Sequence, residues 1–304
     1  MIPNVIHFIF GLKEDFGQQP FSLVHYLAIK SAYECNRPDI IKFYYKYEPR
    51  GEWWEKSKQY LTLIKVDPPT EIFGKPLLHF AHQADVLRLE ILMREGGIYL
   101  DMDILSLNSL APLRKKYKCV MGMEEGVGLC NAVILAERNA EFLKICYEEY
   151  RTFRSKGFDE FYGEHSVRIP YRNAKKYPHL VHMEDKFSFY WPYYDGSPIT
   201  LWDRPADGMR DAWMIRLKKW FALKFISTSY CLHLWESLWW KKYLKDIDLE
   251  YIKNNDNNFS KLCRRYLFAE GGIPPCTCRP FRPLMKKIID IYLPKLSNAG
   301  GIAL

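Results

Sequence analysis

Strand-like and helix-like segments are interspersed along the first half of the chain, and this order limits the folds available to it. The strand-like segments are rich in β-branched and aromatic residues and cover 4–10, 40–47, 61–66, 98–105, 119–123 and 132–136. Helix-like segments lie between them at 21–34, 80–94 and 140–154. Because strands that alternate with helices form sheets whose neighbouring strands run parallel, the order predicts an α/β fold with a mainly parallel central sheet flanked by helices.

The C-terminal part of the chain differs in composition from this α/β region. The 304 residues suffice for two domains, or for one large α/β domain with an appendage. A polar run at 253–258 is followed by a basic tail that contains proline. We therefore predict a main domain over residues 1–245 and a basic, helical C-terminal appendage over residues 246–304.

Charge and hydrophobicity exclude some classes of protein. With 48% hydrophobic and 26% charged residues the chain is neither disordered nor fibrous, and no apolar run reaches the roughly 20 residues that a membrane span needs. The net charge of +8 favours polyanions or an anionic membrane through long-range attraction. It does not choose between nucleic acid, phospholipid and a phosphorylated small molecule.

The helix-like segment 80–94 carries charged residues on two opposite edges. At about 100° per residue, one edge carries Gln83, Glu90 and Arg94. Asp85 and Arg88 fall near the opposite edge, and apolar residues occupy the flanks. A helix with one solvated edge turns its other edge toward the protein, so Asp85 and Arg88 are predicted to point into a cleft or the interior. The alternative is an ordinary ion pair three residues apart.

Two aspartates stand one residue apart in the strand-like segment that follows a Gly-Gly pair. Strand alternation through 98–104 puts Tyr99, Asp101 and Asp103 on one face. Two adjacent carboxylates repel each other and lose hydration, so such a pair normally needs a cation. Oxygen ligands suit Mg²⁺ or Mn²⁺, and Asp101 and Asp103 are therefore the predicted metal ligands. The alternative is an exposed strand end with two solvated aspartates.

Several motifs, taken in order, resemble a known family. They are Ile2-Pro-Asn-Val-Ile-His-Phe-Ile-Phe-Gly11, Ala84-Asp-Val-Leu-Arg-Leu89, Gly96-Gly-Ile-Tyr-Leu-Asp-Met-Asp103, the segment 131–143, Phe189-Tyr-Trp-Pro192 and His233-Leu-Trp-Glu-Ser-Leu-Trp239. Together they resemble the DXD-containing glycosyltransferases of the Och1-like and capsular polysaccharide type. In its sugar-donor motifs that group is similar to the large clostridial glucosylating toxins. The resemblance covers most of residues 1–245 and implies a GT-A-type fold, with 1–245 as the catalytic domain.

The resemblance also implies which residues bind the nucleotide-sugar donor. The residues that it places there are Ile9, Phe10, Asp85, Arg88, Tyr99, Asp101, Ser237 and Trp239. Ile9 and Phe10 would contact the nucleotide base, and Phe10 stands where the family often has Trp. Asp85 and Arg88 would hold hydroxyls of the donor sugar.

The aspartate pair and a late loop have further roles by the same resemblance. Asp101 would bind the ribose and approach the metal, and Asp103 would be the principal protein ligand of Mn²⁺ or Mg²⁺. Ser237 and Trp239 resemble a loop that closes over the diphosphate. Asp85, Arg88, Asp101 and Asp103 are the residues on which catalysis is expected to depend.

The implied activity is transfer of a sugar from a nucleotide-sugar donor, a UDP-sugar above all, to a glycan or lipid-linked glycan acceptor. The resemblance implies retention of the anomeric configuration. The cation would stabilise the charge that develops on the leaving diphosphate. No protein nucleophile is assigned, although Glu124, Glu125 or Glu164 could serve as one. Donor and acceptor are the expected partners, and no nucleic acid is expected.

Two other functions remain open from the residues alone. A phosphohydrolase of the haloacid dehalogenase type also begins its chemistry with an aspartate pair after a strand. That motif usually has Thr or Val two residues after the second aspartate, where this chain has Leu105. A transferase-like binding protein without activity would have no need of all four of Asp85, Arg88, Asp101 and Asp103.

Two segments outside the motifs, 209–226 and 283–296, combine apolar and basic residues. A basic amphipathic helix can lie on an anionic membrane, where a lipid-linked acceptor would be presented. It can equally pack on the catalytic core with its basic edge in solvent, and both interpretations stay open. The N-terminal segment lacks the basic start and small-residue cleavage site of a signal peptide. We therefore expect a cytoplasmic protein, with peripheral association with the cytoplasmic face of a membrane as an additional expectation.

Overall fold

The strands were located in a computed structural model that describes residues 1–194, 201, 202, 223 and 226–268. They are β1 Val5–Ile9, β2 Ile40–Tyr45, β3 Thr62–Lys65, β4 Glu71–Ile72, β5 Lys75–Pro76, β6 Gly97–Leu100, β7 Ile104–Ser106, β8 Cys119–Glu124, β9 Gly128–Ala136, β10 His182–Glu184 and β11 Cys231–His233.

Helices connect and cover these strands. The α-helices are α1 Leu23–Asn36, α2 Glu52–Lys58, α3 Phe80–Glu95, α4 Ala111–Lys116, α5 Glu141–Glu148, α6 Ile169–Lys176, α7 Lys186–Phe189, α8 Glu236–Trp239, α9 Leu249–Asn254 and α10 Asn258–Leu267. Short 3₁₀ turns occupy Phe16–Gln18 and Glu149–Thr152, and π-helical turns occupy Glu164–Arg168 and Trp240–Leu244.

A seven-stranded sheet in the order β10-β8-β9-β6-β1-β2-β3 forms the centre of the fold. Strand β1 runs parallel to both of its neighbours, and the β2–β3 and β8–β10 pairs are also parallel. Strand β9 is antiparallel to β6 and β8. The predicted α/β architecture, with a mainly parallel central sheet flanked by helices, is confirmed.

Two hydrophobic cores lie on the two faces of this sheet. Alternation along β1 sends Ile6 and Phe8 into the first core, which also holds α1, and Ile9 into the second, which holds α3 and α5. Strand β6 does the same with Ile98 on one face and Tyr99 on the other. Because both faces are covered, β6 and β9 are buried along their whole length and β1 is buried from Ile6 onward, so these strands form a frame for the residues at their ends.

The C-terminal helices α9 and α10 pack into the first core through Ile252, Phe259 and Leu262. The hydroxyl of Tyr266 donates to the carbonyl of Ser106 at the end of β7. The boundary at residue 245 stays a prediction, since the appendage is described only to residue 268. Segments 209–226 and 283–296 lie outside the described residues, except for 223 and 226. No helix in the described ranges is both long and apolar enough to cross a membrane.

The predicted strand over 98–105 is interrupted at the aspartate pair. Strand β6 ends at Leu100, the chain turns, and β7 begins at Ile104, whose N–H donates to the carbonyl of Asp101 at 3.0 Å. The expectation that strand alternation presents the two aspartates is therefore wrong. A turn, closed by this local hydrogen bond, brings the side chains together instead.

Candidate functional site

Helix α3 delivers two charged side chains to the interior. It begins after His79, whose Nδ1 accepts from the N–H of Ala81, and it ends at Gly96 with φ +69°. Asp85 and Arg88 are 7% and 5% exposed, so the predicted inward orientation is confirmed. The glycine after the helix is also required by space, because a Cβ at Gly97 would lie 2.6 Å from the carbonyl oxygen of Val5.

Arg88 is the central cation of a buried polar group. Its guanidinium lies 3.2 Å from Oδ1 of Asp85 and 3.1 Å from Oδ1 of Asp101, and it donates to the Asn131 carbonyl at 3.0 Å. Its flat face lies over the ring of Tyr99, 4.4 Å from the centroid. Burial of a charge is tolerated when it is paired and hydrogen-bonded in this way. Asp85 and Arg88 do form the ion pair three residues apart, but the pair is buried and Arg88 also reaches Asp101.

Asp85 is held in its ionised form. The amide of Asn131 donates to its Oδ1 at 2.7 Å, and Nδ1 of His82 lies 3.5 Å from its Oδ2. Burial raises the pKa of Asp85, but Arg88, His82 and Asn131 lower it more, and the net shift is downward. A buried carboxylate of this kind can accept hydrogen bonds from hydroxyl groups of a ligand.

Asp101 occupies the turn after β6 and is tied to both the sheet and Arg88. Its N–H donates to the carbonyl of Ala132, and its Oδ1 accepts from the Tyr99 hydroxyl at 2.6 Å. Burial raises the pKa of Asp101, Arg88 opposes this, and nearby Asp103 raises it again, so the net shift is upward. The charged form of Asp101 is thus the one that a nearby cation would stabilise.

Asp103 is fastened to the segment that contains β11. Strand β11 pairs antiparallel with β7, and His233 stands opposite Ile104. Oδ2 of Asp103 accepts from the N–H of Glu236 at 2.7 Å and lies 3.1 Å from Nε2 of His233. Burial raises the pKa of Asp103, but His233 and the Glu236 N–H lower it more, so the carboxylate stays ionised.

His233 completes a group with the chemistry of a divalent metal site. Each of Asp101, Asp103 and His233 offers one ligand atom, and these atoms all lie within 4.8 Å of one another. Burial lowers the pKa of His233, but Asp103 and then Asp101 raise it more. Its buried Nδ1 has no hydrogen-bond partner among the described residues. Carboxylate oxygens with an imidazole nitrogen fit Mn²⁺ well and Mg²⁺ less well.

The residues expected to contact the nucleotide base lie at the end of β1. Ile9 is 7% exposed and belongs to the second core. Phe10 is half-buried, stacks on Phe16 at 5.6 Å and contacts His25 at 4.9 Å. His25 in turn lies 2.7 Å from Oε1 of Glu236, the residue whose N–H binds Asp103. Phe10 is therefore connected to the metal-ligand group through two intermediate residues.

Ser237 and Trp239 differ in their placement. Ser237 is exposed in the first turn of α8, whereas Trp239 is 3% exposed and packs edge-on against Tyr243 in the first core. The next indole, Trp240, is half-buried and lies 6.2 Å from the ring of His25. The contact of Trp239 with a diphosphate stays a prediction, because in this structure its ring contributes to the core.

The three candidate glutamates differ in their burial and in their ion-pair partners. Glu164 is paired with Arg154 at 2.7 Å, and exposed Glu125 is paired with Lys186. Glu124, at the end of β8, is 8% exposed, and its charge contributes to raising the pKa of His233. Glu124 is thus the buried carboxylate of the three and the one whose charge reaches the metal-ligand group.

Sequence reasoning assigned no site role to Asn131, His82 or His233. Asn131 and His233 lay within motifs that were recognised, and a polar residue in an otherwise apolar strand is the signal that could have found both. His82 is three residues before Asp85 on α3, the spacing that places side chains on one face. The partners of Asn131 and His233 are distant in sequence, and those of His82 lie in the protein interior. Residue spacing alone reveals neither kind of contact.

Known proteins are similar to this chain in sequence. Residues 19–120 match the family described as "Glycosyltransferase sugar-binding region containing DXD motif". The chain is 32% identical over 280 residues to "Glucan organizing enzyme 1" of Cryptococcus neoformans, covering 88% of this chain and 71% of that protein. An uncharacterized protein of Arabidopsis thaliana is 35% identical over 94 residues, which are 28% of this chain and 14% of that protein.

Solved structures of glycosyltransferases are also similar to this chain. The apo form of GlyE from Streptococcus pneumoniae TIGR4 is 12% identical, with a TM-score of 0.44 and coverage of 96% of this chain and 64% of that one. The galactosyltransferase LgtC is 13% identical, with a TM-score of 0.38 and coverage of 92% and 99%. From the Cryptococcus relative and the family match over the aspartate pair, we conclude that this chain belongs to the family of glycosyltransferases with a DXD sugar-binding region.

Proposed function

We propose that the protein transfers a sugar from a UDP-sugar to a glycan acceptor, with retention of configuration and with a bound divalent cation. The observation that carries the proposal is the convergence of Asp101, Asp103 and His233, with ligand atoms within 4.8 Å. A buried pair of carboxylates is costly without a cation. The mixed oxygen and nitrogen set favours Mn²⁺ over Mg²⁺.

A cation held there would act as a Lewis acid toward the oxygens of the leaving diphosphate. The protein's own residues position the sugar. Ionised Asp85 accepts hydrogen bonds from sugar hydroxyls, and Asn131 and Arg88 fix its orientation at 2.7 and 3.2 Å. Because Asp85 and Arg88 are buried, the hydrogen bonds they offer are stronger than they would be in water.

The finer parts of the proposal have separate support. Retention and the UDP donor follow from the resemblance of the ordered motifs. A glycan acceptor is supported by the name of the Cryptococcus relative, which refers to glucan. Glu124 is the buried one of the three candidate glutamates, its charge reaches His233, and it is therefore the glutamate that we assign to stabilise positive charge developing on the sugar ring. Membership in a transferase family removes the reason for the phosphohydrolase alternative.

A donor panel tests the proposal without any acceptor. UDP-, GDP- and ADP-linked sugars are incubated with the full chain and Mn²⁺, and slow release of free nucleotide is measured. We expect turnover of a UDP-sugar that stops with excess chelator and returns when Mn²⁺ is restored. Turnover that persists in excess chelator would contradict the metal site, and failure of every nucleotide-sugar would contradict the transferase itself.

A cytoplasmic location with peripheral binding to an anionic membrane is part of the same proposal. The membrane binding is supported by the net charge of +8 and by segments 209–226 and 283–296, which combine apolar and basic residues. Flotation of the full chain with vesicles of phosphatidylserine and phosphatidylcholine measures it. We expect binding to the mixed vesicles at low salt and none to vesicles of phosphatidylcholine alone. No binding to the mixed vesicles at low salt would refute the membrane association.

A further inference from the structure

An exposed aromatic surface lies beside the candidate donor site. Phe158 is 75% exposed, the most exposed aromatic side chain in the described residues. Its ring stacks on Tyr162, with centroids 4.7 Å apart and an interplanar angle of 27°, and His79 meets it edge-on at 4.9 Å. Tyr162 and His79 pack against this ring, yet three quarters of the residue stays exposed, so the cluster offers an apolar surface to a ligand.

The loop that carries Phe158 is held in a fixed shape. The carboxylate of Asp159 accepts from the N–H groups of Lys156 and Phe161 at 2.7 and 3.0 Å, and from the Ser155 hydroxyl at 2.8 Å. Ser155 is buried, at 3% exposure. The aromatic ring is thus presented by an ordered turn, which reduces the entropy lost when a ligand binds.

A short connection joins this loop to the donor site. His82 places its Nε2 2.9 Å from the Ser155 hydroxyl and its Nδ1 3.5 Å from Oδ2 of Asp85. The ring of Tyr162 lies 5.1 Å from that of His82. The aromatic surface is therefore linked through buried His82 to the carboxylate that we assign to the donor sugar, and an acceptor must lie next to that sugar.

His79 offers a hydrogen-bond donor at the edge of the surface. Its Nδ1 accepts from the N–H of Ala81, and burial, followed by the charges of His82 and Lys13, lowers its pKa. The neutral ring therefore carries its proton on Nε2. This half-buried N–H has no hydrogen-bond partner among the described residues, and it lies on the ring that contacts Phe158.

We propose that Phe158, Tyr162 and His79 form a subsite for a pyranose ring of the acceptor glycan. A pyranose has one face rich in C–H groups, which packs on an aromatic ring, and an edge of hydroxyl groups, which matches a nearby N–H donor. An apolar lipid tail would gain nothing from the His79 donor, and a peptide would gain nothing particular from a single flat ring. The inference rests on the proposed function, since it assigns the substrate that completes it.

The first experiment measures binding without catalysis. Saturation-transfer NMR is recorded for the full chain with tetrasaccharides of glucose, mannose and N-acetylglucosamine. We expect transfer to ring protons of at least one tetrasaccharide, loss of that signal in Phe158→Ala and retention in Phe158→Tyr. Phe268→Ala, which removes another exposed phenylalanine at 43% exposure, is the control and should leave the signal unchanged. No transfer in the wild type, or undiminished transfer in Phe158→Ala, overturns the subsite.

The second experiment separates this inference from the proposed function. Hydrolysis of the donor by water needs no acceptor, so Phe158→Ala is expected to hydrolyse the UDP-sugar at the wild-type rate. With the tetrasaccharide that binds as acceptor, the acceptor KM of Phe158→Ala should be about tenfold higher than that of the wild type. An unchanged KM with intact hydrolysis overturns the subsite alone, whereas absence of hydrolysis in the wild type counts against the transferase proposal. A flotation assay is run in parallel. If Phe158→Ala loses vesicle binding but keeps the wild-type acceptor KM, the ring belongs to a membrane contact, and the acceptor subsite is overturned.

Discussion

The backbone N–H of Glu236 donates a 2.7 Å hydrogen bond to Oδ2 of Asp103, although 133 residues separate them. A hydrogen bond between main-chain groups also runs from the N–H of Leu234 to the carbonyl of Asp103, at 2.9 Å. Together with the β7–β11 pairing they fix both the main chain and the carboxylate of Asp103. Asp103 is thus oriented by tertiary contacts of the protein itself, which is the kind of preorganisation that catalysis requires.

Asp103→Asn tests the metal site through activity. The amide cannot offer an anionic ligand, so donor hydrolysis with Mn²⁺ should fall at least about a hundredfold. Nucleotide release is measured beside circular dichroism, which should show an intact fold. Asp67→Asn is the matched control, because the Asp67 side chain is 97% exposed. Wild-type turnover in Asp103→Asn would refute the role of this carboxylate.

His233→Ala tests the third ligand by metal binding alone. Loss of the imidazole should weaken Mn²⁺ binding about ten- to a hundredfold, with a smaller effect on Mg²⁺, since nitrogen ligands matter less to that ion. Titration calorimetry of the apo protein measures both affinities. His179→Ala removes an exposed histidine and serves as the comparison. Equal Mn²⁺ affinity in His233→Ala and wild type would exclude this residue from the coordination shell.

Arg88→Met should destabilise the protein strongly. The substitution leaves Asp85 and Asp101 buried without their shared cation, and removal of one member of a buried ionic group costs about 3–5 kcal/mol. Urea unfolding gives the free-energy difference. Arg94→Met breaks an exposed pair with Glu95 and should cost less than about 1 kcal/mol. Similar losses in the two variants would show that Arg88 is not the central cation of the site.

Buried His7 predicts a loss of stability in acid. Burial lowers its pKa from 6.5 to about 4, against the opposing effect of its bond to the Gly96 carbonyl at 2.9 Å. The unfolded chain therefore binds the extra proton between pH 6.5 and 4. Over that range the free energy of unfolding should fall by up to about 3 kcal/mol through this group alone.

His7→Gln isolates that contribution. Its unfolding free energy, measured in urea from pH 7 to 4, should decline less steeply than that of the wild type. His179→Gln should keep the wild-type slope, because His179 is exposed. Parallel profiles for His7→Gln and the wild type would mean that His7 is not the neutral, buried group described here.

Gly97→Ala should be more damaging than Gly74→Ala, although both glycines have positive φ. At Gly74, with φ +72°, no atom lies within 4 Å of an added Cβ, so only the backbone cost of about 1 kcal/mol applies. At Gly97, with φ +117°, the Cβ would meet Val5 O and His7 Nε2 at 2.6 and 2.7 Å. A loss of about 3 kcal/mol or more is expected in thermal unfolding. Equal losses at the two sites would contradict this close packing.

The inward edge of α3 could be predicted from the sequence because helical periodicity is a local property. Asp85 and Arg88 are three positions apart, and the polar edge opposite them, with Gln83, Glu90 and Arg94, is sufficient to orient both. The same reasoning failed at the aspartate pair, where a turn replaces the expected strand between Leu100 and Ile104. Strand alternation assumes an uninterrupted backbone, and a single local hydrogen bond between Asp101 and Ile104 is enough to break it.

The remaining partners depend on contacts that no local pattern contains. His233 lies opposite Ile104 through antiparallel pairing of β11 with β7, and Asn131 reaches Asp85 from β9. The placement of Trp239 is of the same kind, because burial of one face of α8 decides which indole joins the core. Of these three residues the sequence pointed only to Trp239, and the contacts of Asn131 and His233 follow only from the assembled sheet.

The hydrogen bond from Glu236 to Asp103 also limits how this chain can be divided. The region that matches the family, residues 19–120, contains both aspartates but neither His233 nor Glu236. A fragment cut to that region would carry the diagnostic motif with its carboxylates unsupported and their imidazole partner missing. A fragment that keeps these contacts to Asp103 must therefore extend at least to Glu236, so the signature of the family is shorter than the set of residues that supports its aspartates.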